Sequence, residues 1–162
     1  MGQIFGIGGY TRLAAGYPVN INDMNIRTAT VDKEQEDGIL PGQLVIATEK
    51  YNSVITTDPV GEVADYTGKI LGIAVATNVK LDTCFPQSKA GTSWLPGEAL
   101  GYAVTGEIAV QFTGSTPVQQ QPAYYDIANG VFTTESSGTL ALPNMVFSGI
   151  TEGTLTVVKI LY

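Results

Sequence analysis

Fifteen carboxylates, eight lysines and arginines, one cysteine and no histidine are the groups from which this 162-residue chain could build chemistry. The missing histidine removes the usual general base near neutral pH, and with it Ser-His-Asp, Cys-His and histidine-metal arrangements. Cys84 sits in "LDTCFPQ" with no cation nearer than Lys80, so nothing beside it favours a thiolate, and a small buried filler is its expected role. Paired carboxylates can hydrolyse glycosides. Glu98 and Glu107 come nearest, in "LPGEALGYAVTGEIAVQF", but the strand residues between them span more than ~20 Å at ~3.3 Å each. They read as solvated turn residues.

Two further candidates fail on spacing. "GIGGY" (6–10) lacks the pattern of a phosphate loop. The acidic run with Asp32, Glu34, Glu36 and Asp37 lacks the mid-loop glycine and closing glutamate of a calcium loop, and reads as a solvated charge cluster. What remains is aromatic. Trp94 and the pair Tyr124-Tyr125 suit a sugar-stacking platform or an interface anchor. Strand alternation lets only one of the two tyrosines point inward. No catalytic residue, cofactor or metal is expected.

The totals exclude other roles. Charged residues make up 14% of the chain, well below the usual share of about a quarter, so its surface must be covered by Thr, Ser, Asn, Gln and Gly. That suits a β-rich protein packed against neighbours. The net charge is −7, and from Ala90 onward five acids face the single base Lys159. Nucleic-acid binding draws most of its free energy from cations at phosphates, and anionic membranes select for the same charge, so neither is an expected partner. One cysteine gives no intrachain disulfide. No apolar run reaches the ~18 residues needed to span a bilayer, no signal peptide opens the chain, and Gly6 breaks the myristoylation pattern. A soluble product made in the cytoplasm is expected.

The elements that would position any site are strands. Residues 1–25 scatter apolar side chains among five glycines without a period, which suits an extended N-terminal arm or an ordered lead-in to the first strand. From Ile26 the β signals accumulate: "NIRTATV", the charged loop "DKEQEDG", "LPGQLVIAT", "NSVITT" and the near-continuous apolar run "GKILGIAVAT", which predicts a strand buried on both faces. A weakly patterned connection leads to "ALGYAVTGEIAVQF", read as two strands turning at Thr105-Gly106. "PAYYDIANGVFTT" reads as a hairpin at Asn129-Gly130, and "NMVFSGI" and "TLTVVKILY" are separated by "TEG". "GEVADYTG" is too short for a confident helix. Leu-Pro-Gly precedes a strand twice, in "ILPGQLVIATE" and "WLPGEALGYAVTGE", as if marking equivalent strand starts in two sheets. The expectation is an all-β fold, a β-sandwich or jelly-roll-like barrel, with an arm over 1–25 and a single domain over 26–162.

The succession of these segments resembles the structural cement proteins of tailed-bacteriophage capsids. The resemblance rests on "NIRTATV", "ILPGQLVIAT" and "GKILGIAVAT", then "WLPGEALGYAVTGEIAVQFTG", "QPAYYDIANGVFTT" and "NMVFSGITEGTLTVVKI", in that order. It covers most of residues 26–162. It implies a decoration protein without catalytic residues that binds the outer surface of the assembled head as a homodimer or homotrimer and clamps neighbouring major capsid proteins. The expected location is the virion exterior. Under that reading Ile4, Phe5, Ile7 and Tyr10 of the arm, and Trp94, are the expected capsid or oligomer contacts. Two alternatives remain: a carbohydrate- or receptor-binding β module using Trp94 with Tyr124 or Tyr125, and a carboxylate-based hydrolase.

Overall fold

Runs of β-branched and aromatic residues punctuated by Gly, Asn and Asp draw the described residues into nine strands. They are β1 (Pro18–Val31), β2 (Leu44–Ala47), β3 (Ser53–Ile55), β4 (Ile70–Ala74), β5 (Ala99–Thr113), β6 (Pro122–Asp126), β7 (Val131–Thr133), β8 (Leu140–Glu152) and β9 (Leu155–Ile160). Val63–Tyr66 forms one 3₁₀ turn. The structure, a computed structural model, describes residues 13–76 and 93–161. The all-β expectation holds.

The nine strands form one mixed sheet that closes on itself twice. Pairings β1–β3, β3–β2, β2–β4, β4–β5 and β5–β1 complete a first ring of five strands. Pairings β5–β7, β7–β6, β6–β8, β8–β9 and β9–β5 complete a second. In each ring the first strand runs parallel to the third, and every other pairing is antiparallel. The sheet is therefore two small barrels sharing β5, and closure leaves few of the free edges that invite aggregation.

β5 corrects the expected hairpin. Ala99–Thr113 is one continuous strand, and Thr105-Gly106 does not turn the chain. Tyr102 and Ala103 pair with β1 and β4, whereas Glu107 and Ile108 pair with β1 and β9. Gly106 sits where β9 takes over from β4. Its φ is +118°, and a Cβ there would lie 3.4 Å from the Met24 backbone. Glycine serves here to pass a strand from one ring to the next, not to reverse it.

Among the described residues, two apolar clusters form the core. One gathers Ala29, Val31, Val45, Val54, Ala74, Leu100 and Tyr102 from the first ring, with Ile39 and Trp94 from its connections. The other takes Ile108, Val110, Tyr125, Phe132, Leu140, Met145, Phe147 and Val158 from the second ring, and also Leu44, Ile46, Ile73 and Ala103. Strands β2 and β4 thus feed both clusters from opposite faces, as the apolar run of β4 predicts. Pairing and burial leave the long first strand starting at Pro18, with Pro18 opposite Ile108 and Asn20 opposite Glu107, so the segment expected as an arm is strand from that residue on. The repeated Leu-Pro-Gly is also resolved. Ile39 and Trp94, just before each copy, form an antiparallel bridge with N–H to carbonyl distances of 2.9 and 2.8 Å, and Gly42 and Gly97 adopt φ of +88° and +89°.

Candidate interaction surface

Several described carboxylates are engaged within the fold: Asp126 accepts from the Ala128 and Asn129 N–H groups in the β6–β7 turn, and the others named below belong to the first ring. Asp32 starts the acidic loop but is buried. It accepts from the Ser53 hydroxyl at 2.6 Å, the Glu34 N–H at 2.9 Å and Lys50 Nζ at 3.2 Å. The Ser53 bond, chiefly, holds its carboxyl below the usual range. Gln35, also buried, accepts from the Thr56 and Thr57 N–H groups and donates to the Thr57 hydroxyl. The loop expected to be solvated is therefore anchored at two of its residues.

A groove of about 580 Å³ opens beside this network, lined in part by Asp32, Lys50, Asp58, Asp65, Tyr66 and Lys69. The Tyr66 hydroxyl donates to Asp58, whose other oxygen accepts from the Val60 and Gly61 N–H groups. The phenol bond lowers the Asp58 carboxyl, while burial first and Asp58 second push Tyr66 up to about 12. Lys69 meets Glu49 at 2.6 Å. A carboxylate already bonded by a phenol and two amides has little basicity left for proton transfer, and among the described residues no three His, Cys, Asp or Glu side chains gather to hold a metal.

The sequence-stated contacts separate. Ile4, Phe5, Ile7 and Tyr10 lie outside the described residues, as does Cys84. Trp94 is 2% exposed and fills the first cluster, which corrects its reading as an exposed anchor: the bridge to Ile39 pins its backbone across the first ring and the indole packs inward. Tyr125 is fully buried, edge-on to Phe132 with ring centroids 5.1 Å apart, and its hydroxyl lies 2.6 Å from that of Thr56. Burial raises its phenol pKa. Tyr124 is half-buried, so one tyrosine of the pair does point inward. With Trp94 and Tyr125 both inside, the proposed sugar platform does not assemble. Glu98 and Glu107 flank and interrupt a single extended strand, which keeps them apart as expected.

What the surface does offer is apolar side chains on turns. Leu40, Tyr51, Val60 and Val118 are exposed, along with Tyr17, Val19, Ile26 and Ile150. Two of these sit on turns of the same construction. In the first, Gln43 N–H donates to the Leu40 carbonyl at 3.2 Å, and the Leu40 N–H donates to Gln43 Oε1 at 2.8 Å. In the second, Gln121 N–H donates to the Val118 carbonyl at 3.1 Å, and the Val118 N–H to Gln121 Oε1 at 3.0 Å. Each turn docks on the fourth strand of its ring alike: Gly42 N–H to Ala74 O and Ala74 N–H to Gln43 O in one, Gln120 N–H to Phe147 O and Phe147 N–H to Gln121 O in the other. The third residue of each has positive φ, +88° at Gly42 and +68° at Gln120. Glutamine in that region is uncommon, so the second turn keeps the geometry without the residue that makes it easy. Leu-Pro-Gly in the sequence marks the first of these turns at Pro41-Gly42 but not its likeness to the second, because their common element is a hydrogen-bond pattern closed by a glutamine.

Together these features define a class: an all-β protein whose buried Asp32, Gln35 and Thr56 are bonded within the fold and whose surface carries exposed apolar side chains. Comparison places it further. The family described as "Structural cement protein (E217 gp24/Pam3 gp6)" matches residues 8–161. The chain belongs to that family of structural cement proteins, and with it comes a structural, capsid-associated, stabilising role. A chain in a solved structure titled "The capsid of Myoviridae Phage XM1" superimposes with a TM-score of 0.68 at 16% identity, over 92% of this chain and 90% of that one. At that identity the likeness is one of fold. None of the curated proteins matches.

Proposed function

We propose that the protein is a decoration protein that binds the outer surface of an assembled phage head and stabilises contacts between neighbouring major capsid proteins. The observation that carries this reading is the family match over nearly the whole chain. Physical features support it. The net charge of −7 disfavours contact with packaged DNA, and the exposed apolar side chains on ordered turns offer surface whose burial against a partner is favourable. The role is structural, not enzymatic, and needs no cofactor. Binding as a homodimer or homotrimer would multiply modest single contacts by about 10²–10⁴ through avidity. Ile4, Phe5, Ile7 and Tyr10 remain proposed contacts of the N-terminal segment; Trp94 does not.

The test is co-sedimentation of the purified protein with expanded, undecorated heads. Saturation at a fixed ratio to the major capsid protein is the expected result. A folded protein that binds no shell would overturn the reading. Deleting residues 2–12, which spares β1, checks the N-terminal contacts: unchanged affinity would remove them from the proposal.

A further inference from the structure

The two rings are the same unit built twice. The hairpin β2–β3 and the hairpin β6–β7 keep step residue by residue: Ala47 pairs with Val54 as Tyr125 pairs with Phe132. Asn52 and Gly130, at matching places in the two hairpin turns, have φ of +54° and +71°. The closing strands also match. Thr30 lies opposite Ala99 as Gln111 lies opposite Leu155, and Ala74 lies opposite Tyr102 as Phe147 lies opposite Val158. In this correspondence Leu40 falls on Val118 and Gln43 on Gln121, which is why their turns share every hydrogen bond described above.

Corresponding positions otherwise differ on the surface. Exposed Tyr51 corresponds to Asn129 and exposed Ile26 to Glu107, while Val60 lies in a connection that the second ring replaces with a shorter one. Leu40, 44% exposed, and Val118, 63% exposed, are the pair in which both rings present a large apolar side chain at the same place among the described residues. The polar scaffold of the turn is complete without either side chain, so neither is needed to hold its own turn.

We propose that Leu40 and Val118 are equivalent docking points, each inserting into the same apolar pocket on one of two neighbouring copies of a single repeated partner. The inference rests on the capsid reading, because a shell of identical subunits offers one pocket many times, and a duplicated unit carries the matching knob twice. Two like contacts on one rigid body engage together, and losing either converts a bivalent binder into a monovalent one.

The experiment measures affinity for expanded, undecorated heads by co-sedimentation, using wild type, Leu40→Ser, Val118→Ser, the double variant and Tyr51→Ser. Unchanged thermal unfolding confirms that each is folded, and the swaps Leu40→Val and Val118→Leu test whether apolar character suffices. Either serine variant alone is expected to weaken binding on the order of 10²-fold, to a similar extent. The double variant should lose saturable binding, while Tyr51→Ser and the swaps should stay near wild type. Impairment by only one of the two, by neither, or equally by Tyr51→Ser would overturn the proposal while wild-type binding still upholds the capsid role. No wild-type binding would overturn both.

Discussion

The two rings share a pairing pattern but fill their interiors by different means. In the second ring the strands carry the volume: Tyr125, Phe132 and Phe147 all point into the barrel from β6, β7 and β8. The corresponding positions of the first ring are Ala47, Val54 and Ala74, far too small to fill the same space. There Trp94 and Ile39 pack in from the connections, with Tyr102 from β5. A small barrel needs a filled interior, and close packing fixes the volume required, yet the chain segment that delivers it is free to change. The second ring's large side chains stand on its own strands, joined in the same cluster by Leu44, Ile46 and Ile73 of the first ring and by Ile127 of a connection. A ring filled by a loop tryptophan depends on the bridge that holds that loop.

The largest test of this difference is truncation. Trp94→Ala and Phe132→Ala should each cost about 3–5 kcal/mol, read as a shift in the chemical-denaturation midpoint. Because β5 belongs to both rings, both variants should still unfold in one transition. A two-step transition in Trp94→Ala, with the second ring surviving, would break the idea that the shared strand couples the rings. Gly106→Ala addresses the coupling directly. An alanine at φ +118° facing Met24 should cost about 1–3 kcal/mol and lower hydrogen-exchange protection on β1 and β9 alike; protection lost in one ring only would show that the junction is not shared.

Asp32 sharpens the comparison from the polar side, since it closes the first ring where the second has Thr113-Gly114. Asp32→Asn should cost about 1–3 kcal/mol at neutral pH by weakening bonds to Ser53 and Lys50. Its folded-state carboxyl is lowered, so the wild-type stabilisation is present above the ordinary aspartate range and is lost as pH falls through the folded value. The gap between wild type and variant should therefore close below about pH 4. A gap that persists in acid would deny the carboxylate that part. The smallest effect belongs to Tyr66→Phe, about 0.5–1.5 kcal/mol near neutrality. The Tyr66 phenol is raised to about 12, so its contribution holds below about pH 10 and fades as pH climbs from there toward 12. Absorbance titration of tyrosinate should show one late-ionising group fewer in the variant.

Much of this was legible in the residues. Alternation located the second half of β1 and β9, Asn129-Gly130 located the β6–β7 hairpin, the apolar run of β4 announced burial on two faces, and the lack of histidine together with separated acids pointed away from catalysis. Two glycines of similar sequence context were not equally legible. Gly130 follows an asparagine and closes a hairpin as written, while Gly106 looks the same and does not. A positive φ is visible in sequence as a glycine, but whether it bends a strand back or hands it on depends on which strands lie to either side. Trp94 misled for a related reason: a lone tryptophan in a loop has no period to declare which way it faces.

Local propensity and composition over a few residues account for the all-β class, the Pro41-Gly42 and Asn129-Gly130 turns and the charge-poor, acidic character of the chain. Only the tertiary structure decided that the strands close into two rings, that β5 serves both, and that Leu40 and Val118 occupy the same place in each. Ring closure joins Thr30 to Ala99 and Gln111 to Leu155 across long stretches of chain, and the interior it creates can be filled by a strand's phenylalanine or a loop's tryptophan. Duplicate backbones therefore tolerate unlike side chains, and the repeat is kept in hydrogen bonds that no residue-by-residue reading can display.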